Sequence, residues 1–226
     1  MPEEDPFTLR DVFRGERLLS LLTALTLLAI AYVFEHFANA YAFEYSLRST
    51  SNHVGDLILD NLQVINLNLI IVEGALTAII LGTLFVVFFK PRYLIFTLKT
   101  IALFIMIRSL FISLTHVGIY PDHIGPGHGL FDSIYLYLNF ETGLFFSGHT
   151  GLPFLMALIF WQTPLARYLF LALSFVGGVA VLLAHIHYSI DVFAAPFMAY
   201  SIYRIAFHLF PHDHALIESE PSRISV

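Results

Sequence analysis

Long apolar stretches separated by short polar segments make up most of this chain. The approximate bounds of these stretches are residues 18–37, 63–89, 93–118, 144–163, 166–186 and 188–210. Each stretch is close to or above the roughly 20 residues that an α-helix needs to cross a bilayer. Backbone groups in lipid must be hydrogen-bonded within their own segment, so a helix is the expected structure. The pattern predicts an all-α, polytopic membrane protein with six transmembrane helices.

Composition agrees with a membrane protein and excludes several other classes. Of the 226 residues, 58% are hydrophobic and only 12% are charged, whereas soluble proteins average about 25% charged residues. The chain has no cysteine, which excludes disulfides and thiolate metal sites. The net charge is −6, and no basic block indicates a nucleic-acid partner. The N-terminus is too acidic for a cleavable signal peptide, so we expect the first span to be retained.

Basic residues predict the orientation of the spans. An N-terminus in the cytoplasm places nine of the eleven Lys and Arg residues at cytoplasmic ends and loops, as the positive-inside rule requires. Both termini are then cytoplasmic. The predicted divisions are an N-terminal cytoplasmic segment (1–17), a membrane domain (18–210) and a solvated C-terminal cytoplasmic tail (211–226). One long extracytoplasmic loop, at about 119–143, is rich in Gly and Pro and is a candidate cap over a site.

In this topology, four ionisable residues from three spans converge on the extracytoplasmic face. His149 lies near the outer end of span four, and His187 and Asp191 lie at the start of span six. Arg108 lies in the outer half of span three. Ionisable side chains within spans are costly and normally face a bundle interior or cavity, which makes these residues candidates for a functional site.

The two histidines and the aspartate suit acid–base and nucleophilic chemistry. His187 and Asp191 are four residues apart, so they share one face if the helix of span six has already begun. An aspartate beside one imidazole nitrogen fixes the tautomer and leaves the other nitrogen as a base or nucleophile. His149 supplies a second imidazole that can give a proton to a leaving oxygen and later take one back.

The neighbouring residues suit a phosphate group. Ser147, Gly148 and Thr150 surround His149 at a predicted helix start, where unpaired N–H groups and the helix dipole favour anions. Capping of that helix by the two hydroxyls is the alternative. Arg108 offers a bidentate, permanently charged fork. No G-x-S-x-G nucleophile elbow is present, so the residues favour phosphoryl transfer over acyl transfer.

These motifs carry a resemblance to a known family. "FSGHTG" followed about forty residues later by "AHIHYSIDV" resembles the sphingomyelin synthase branch of the type-2 phosphatidic acid phosphatase superfamily. "RSLFISLTHVGIYP" and "VGDLILDNL" are similar to further family segments, and the resemblance extends over about residues 54–210. Ordinary lipid phosphatases carry a Ser-Arg pair before the nucleophilic histidine. This chain has Ala180 and Val181 there, which is similar to the synthase branch.

The resemblance implies a mechanism without a metal or other cofactor. His187, oriented by Asp191, would attack the lipid phosphorus, and His149 would protonate the departing diacylglycerol oxygen. The substrates would be a membrane phospholipid and a lipid alcohol such as ceramide, and a homo-oligomer is compatible with the sequence. Three further residues are candidates for supporting roles: His185, Tyr188 and Glu141, which lies near the position of an acidic residue in synthases.

Three alternatives stay open from the residues alone. The same fold with water as acceptor would be a lipid phosphatase or a phospholipase C-type hydrolase. "HIH" with a nearby aspartate could ligate a metal, because imidazole and carboxylate suit zinc or iron. A non-enzymatic transport or structural protein would place its polar residues near the bilayer midplane.

Overall fold

A computed structural model of the chain describes residues 7–48, 53–115, 117–125, 127, 133 and 145–218. Within these ranges the protein is helical and has no strand, which confirms the all-α prediction. The α-helices are α1 (Leu9–Val12), α2 (Gly15–Arg48), α3 (Ala75–Phe89), α4 (Leu94–Leu114), α5 (Gly148–Ile159), α6 (Pro164–Leu183), α7 (Ser189–Leu209) and α8 (Pro211–Glu218). Single 3₁₀ turns form at Leu59–Asn61 and Pro91–Tyr93, and a π-helical segment, Leu69–Gly74, leads into α3.

Five helical segments among the described residues are long and apolar enough to cross a membrane, which makes this an integral membrane protein. They are Gly15–Tyr45, Leu69–Phe89, Pro91–Leu114, Pro164–Leu183 and Ser189–Leu209. The fourth predicted span, 144–163, contains only the 12 residues of α5. That helix rises about 18 Å, against a bilayer core of roughly 30 Å. Six spans and the orientation of the termini therefore stay predictions.

Local chemistry explains where the helix between α4 and α6 begins and ends. Ser147, with ψ 120°, precedes the first helical residue, Gly148. Thr163 precedes Pro164, the first residue of α6, and has an extended backbone (φ −109°, ψ 93°). A residue before proline is disfavoured in the helical region, so α5 and α6 cannot merge into one helix.

The long helix α2 packs along α4 through a stripe of small side chains. Ala24, Ala31 and Ala38 recur every seven residues and are almost fully buried. Small residues let helices approach closely in a membrane. Glu35 lies on the same stripe and is only 6% exposed, so α2 carries a carboxylate towards α4.

A hydrophobic core rich in aromatic residues joins α4, α5, α6 and α7. The rings of Tyr93 and Phe160 stack with centroids 4.7 Å apart, and Phe170 stacks on the other side of Phe160 at 5.9 Å. Phe104 and Phe146 meet edge to face at 5.3 Å. Such contacts add about 0.5–1.5 kcal/mol each beyond simple burial. This core fixes α5 between α6 and α7, and so places the start of α5.

The C-terminal segment differs from its prediction. Pro211–Glu218 forms α8, with Asp213 and Ile217 buried against the rest of the protein. Lys99 Nζ lies 2.6 Å from Asp213 Oδ2 and donates to Ser20 Oγ at 2.7 Å. The prediction of a solvated tail is therefore wrong for residues 211–218, because a buried lysine draws the segment back onto α4 and α2.

Removing the carboxylate of this ion pair is expected to destabilise the fold. Asp213→Ala leaves the Lys99 ammonium buried without its counter-charge, which costs about 3–5 kcal/mol of unfolding free energy. The double variant Lys99→Met/Asp213→Leu replaces the pair by apolar side chains and should recover most of that loss. Thermal unfolding of the purified proteins in detergent measures both. Equal destabilisation of the single and double variants would show that the charge is not the cause.

Candidate active site

The "SGHTG" motif forms the first turn of α5. Ser147 is the N-cap residue, and its side chain makes no capping hydrogen bond; capping by this hydroxyl is therefore not observed. The Ser147 N–H donates instead to the Asp191 carbonyl at 3.1 Å. Thr150 Oγ1 lies 3.4 Å from Ser147 Oγ. The two sequence motifs are thus joined by a backbone hydrogen bond.

Two glycines of α6 allow that helix to lie against this first turn. A Cβ atom at Gly177 would lie 2.7 Å from the His149 carbonyl oxygen, and one at Gly178 would lie 3.0 Å from Thr150 Oγ1. Only glycine permits so close an approach. From Gly177, α6 continues to Leu183, a rise of about 9 Å at 1.5 Å per residue. The start of α5 therefore lies beside Gly177, about 9 Å along α6 from the C-terminal end of that helix at Leu183.

The turn that follows α6 carries the second motif. His185 has a left-handed backbone (φ 57°), which residues other than glycine adopt infrequently. Its ring packs edge-on against Tyr120, with centroids 5.0 Å apart. Neither ring nitrogen of His185 has a hydrogen-bond partner among the described residues. The His185 ring therefore packs on the 117–125 loop, and its supporting role stays a prediction.

His187 and Asp191 are close but do not share a helix face. α7 begins at Ser189, so His187 precedes the helix and Tyr188 is its N-cap residue. The Tyr188 N–H donates to Asp191 Oδ2 at 3.1 Å. His187 Nδ1 lies 3.5 Å from the same oxygen, beyond the usual 2.7–3.2 Å of a hydrogen bond. Nδ1 is therefore the ring nitrogen of His187 that faces the Asp191 carboxylate, and Nε2 is the one that points away from it.

The two imidazoles of His149 and His187 face one another across the site. Their ring centroids lie 6.2 Å apart, with an angle of 65° between the planes. The ring of His149 is hydrogen-bonded to the backbone of Ile71. Ile71 belongs to the π-helical segment, and such segments frequently mark functional sites.

Arg108 reaches the same turn from α4. Its Nε donates to the Phe146 carbonyl at 3.0 Å, and its Nη1 donates to Glu35 Oε1 at 3.0 Å. The guanidinium lies within 4.0 Å of the position that a Cβ of Gly148 would occupy. The predicted phosphate-binding arginine therefore contacts the start of α5, but in an ion pair with a glutamate that the sequence analysis did not select.

Loop residues from the "VGDLILDNL" segment support the second motif. Asp56 Oδ2 accepts from the Ser189 N–H at 2.7 Å, and Oδ1 accepts from the N–H groups of Ile58 and Leu59 at 2.9 and 3.1 Å. Tyr188 Oη donates to the Gly118 carbonyl at 2.8 Å. Asp56 thus ties the start of α7 to the loop that precedes α3.

An open cavity of about 350 Å³ lies beside Asp191. Its lining includes Val54, Asp56, Thr115, Phe145, Tyr188 and Asp191. The lining combines apolar side chains with the carboxylates of Asp56 and Asp191, and it does not include His149 or His187.

Replacing Asp56 is expected to destabilise the protein in a pH-dependent way. Burial alone would raise the pKa of Asp56, but hydrogen bonds from Ser189, Leu59 and Ile58 outweigh burial and hold that pKa below its ordinary value of 3.8. Because the folded-state pKa is the lower one, the stabilisation is complete above about pH 4 and is lost as pH falls through the folded-state pKa.

Asp56→Ala leaves three backbone donors unsatisfied and should lower the unfolding free energy by about 1–3 kcal/mol at pH 7. Thermal unfolding at pH 7 and pH 3 measures the effect, and the gap between wild type and variant should narrow at the lower pH. A gap that is the same at both pH values would contradict a role for the ionised carboxylate.

The structure brings most of the predicted site residues to one end of the bundle. They are Arg108, Ser147, Gly148, His149, Thr150, His187 and Asp191, with His185 and Tyr188 in the adjoining turn. Glu141 lies outside the described residues. In the part of the chain that is described, no group of three or more His, Cys, Asp or Glu side chains is arranged to hold a metal ion.

Comparison with known proteins addresses the second half of the chain. Residues 142–209, which contain both histidine motifs, match the family model described as "PAP2 superfamily C-terminal". The match supports membership of the type-2 phosphatidic acid phosphatase superfamily. No curated protein and no solved structure gives a significant match to the chain.

Proteins of the type-2 phosphatidic acid phosphatase superfamily are phosphatases and phosphotransferases. The match therefore indicates an enzyme that acts on phosphate esters, and the apolar helices indicate that it does so in a membrane. Glu35, Asp56 and Arg108 lie outside the matched segment, so part of the site is built by the first half of the chain.

Proposed function

We propose that this protein is a membrane lipid phosphotransferase similar to the sphingomyelin synthase branch. It would move a phosphorylated head group from a glycerophospholipid to a ceramide or diacylglycerol-like alcohol, on the extracytoplasmic face of the membrane. The observation that carries the proposal is the pair of imidazoles of His149 and His187, whose ring centroids lie 6.2 Å apart. His149 lies in the first turn of α5, and Arg108 contacts the same turn.

The first half-reaction would transfer the head group to the enzyme. His187 Nε2 attacks the phosphorus while its Nδ1 faces Asp191. The bond from phosphorus to the glycerol oxygen breaks, and His149 gives its proton to that oxygen, so diacylglycerol leaves. The N–H groups of the first turn of α5 and the Arg108 guanidinium stabilise the negative charge that builds up on the phosphoryl oxygens.

The second half-reaction would reverse these roles. His149, now unprotonated, takes the proton from the hydroxyl of the acceptor lipid. The acceptor oxygen attacks phosphorus, and the bond between phosphorus and His187 breaks. The neutral imidazole of His187 is restored, and no external oxidant, reductant or metal enters the balance. In this proposal the head group would occupy the cavity beside Asp191 during both steps.

Product analysis tests this proposal. Purified protein is incubated with labelled phosphatidylcholine or phosphatidylethanolamine, with and without ceramide, and lipids are separated from soluble products. Ceramide-dependent formation of a labelled phosphosphingolipid is the expected result. Soluble phosphocholine or phosphoethanolamine formed without ceramide would identify a hydrolase on the same fold. No turnover of any phosphate ester would contradict the proposed function.

A further inference from the structure

The charge of Arg108 is already balanced before a substrate arrives. Glu35 Oε1 and Arg108 Nη1 lie 3.0 Å apart, and their side chains are only 7% and 5% exposed. Interactions between charges that are removed from water are strong and little screened by salt. A phosphate bound at the start of α5 therefore meets the guanidinium together with the Glu35 carboxylate.

The ionised side chains around the start of α5 can be counted among the described residues. Arg108 and the proton that His149 donates in the proposed mechanism each contribute one positive charge, whereas Glu35 and Asp191 each contribute one negative charge. These charges cancel, whereas the same site without the Glu35 carboxylate would carry a net charge of +1. A site with a net positive charge attracts a dianionic ligand more strongly than a monoanionic ligand, and Glu35 removes that advantage.

This difference separates two classes of phospholipid. A phosphodiester carries one negative charge, whereas a phosphomonoester carries about −1.5 to −2 at neutral pH. We propose that Glu35 is a specificity-determining residue that makes the site favour phosphodiester lipids over phosphomonoester lipids. It does so through Arg108, whose guanidinium it also positions against Gly148. The inference rests on the proposed function, because it concerns the substrate of the same site.

Relative turnover of two lipids tests this role. The probes are phosphatidylcholine and phosphatidate with the same acyl chains, each in mixed micelles, and kcat/KM is measured for both. In Glu35→Gln, which keeps the side-chain volume, the ratio of kcat/KM for phosphodiester to that for phosphomonoester should fall at least about tenfold, since one buried like charge is removed from the site. The fall should appear mainly as a lower KM for phosphatidate.

A matched control is available on the same helix. Glu44 also lies on α2 but is exposed, so Glu44→Gln should leave the ratio unchanged. Glu35→Asp retains the charge and should also leave the ratio within about threefold of wild type. A purely structural role for Glu35 predicts loss of activity on both lipids in proportion, with no change in the ratio.

The outcomes separate this inference from the proposed function. Wild-type protein that turns over neither lipid contradicts the proposed function. Wild-type protein that turns over phosphodiesters, with an unchanged ratio in Glu35→Gln, overturns the role of Glu35 alone. If Glu35→Gln does not fold, the same ratio of kcat/KM values is measured in Arg108→Gln and in Glu35→Asp. Removing the positive charge should raise the preference for phosphodiesters, and retaining the carboxylate should preserve it. Failure of either expectation overturns the inference.

Discussion

His187→Ala is expected to reduce head-group transfer by roughly 10⁴-fold or more, because removal of a covalent nucleophile eliminates the intermediate. His187 is 2% exposed and faces His149 across the site. The measurement is release of diacylglycerol from a labelled phospholipid, together with trapping of a phosphorylated enzyme that is stable in base and labile in acid. The variant should form no labelled enzyme.

Two further variants complete this test. His149→Ala should lower turnover by about 10²–10⁴-fold, as expected for loss of a general acid. The double variant should be no worse than His187→Ala, since residues that act as a unit are not additive. His212 is an exposed histidine of α8 at the other end of the protein, and His212→Ala is the control. Undiminished turnover in folded His187→Ala protein would contradict the proposed mechanism.

Gly177→Ala is expected to impair activity, although Gly177 is not one of the proposed catalytic residues. The new Cβ would lie 2.7 Å from the His149 carbonyl oxygen, and that oxygen belongs to backbone that cannot rotate away. α5 and α6 must separate, which moves His149 relative to His187. Displacements of about 1 Å can lower a rate about 100-fold, and overpacking costs about 1–3 kcal/mol of stability.

A glycine of α3 provides the comparison. A Cβ at Gly82 would meet the Phe170 ring at 3.7 Å, an ordinary van der Waals contact. Gly82→Ala should therefore leave both turnover and thermal unfolding close to wild type. Turnover and unfolding temperature are measured for both variants under the same conditions. Wild-type turnover in Gly177→Ala would show that the packing of α5 on α6 does not position His149.

Hydrophobic pattern predicted α4 and α7 well because the apolar stretch and the helix coincide. The predicted span 188–210 became Ser189–Leu209, and the span 93–118 became a helix that ends at Leu114. The first predicted span, 18–37, is shorter than α2, because the helix continues to Arg48 through polar residues that hydropathy does not favour. The fourth predicted span, 144–163, contains the shorter helix Gly148–Ile159, because Thr163 and Pro164 separate it from the next helix. A hydropathy window averages over such turn residues and does not detect them.

The two histidine motifs could be assigned to one end of the protein because short connections leave few alternatives. Glu35 was visible as an ionisable residue inside an apolar stretch, which is the signal that could have selected it. Its partner could not be inferred, because contact between α2 and α4 depends on the rotation of both helices. Gly177 carried no signal at all, since the atom it avoids is a backbone oxygen 28 positions earlier in the chain.

If lipid phosphate is transferred as proposed, the extension of α6 beyond Gly177 would make bilayer thickness part of substrate selection. The His149 backbone lies beside Gly177, about 9 Å along α6 from its end at Leu183, so in the proposed reaction a lipid phosphate level with that end would have to move inward to reach the imidazoles. A thinner membrane lowers the headgroup plane towards the site, and a thicker one raises it away. In the proposed reaction, lipids with short acyl chains are therefore expected to be better substrates than lipids with long chains and the same head group, so the thickness of the membrane would set the rate of transfer.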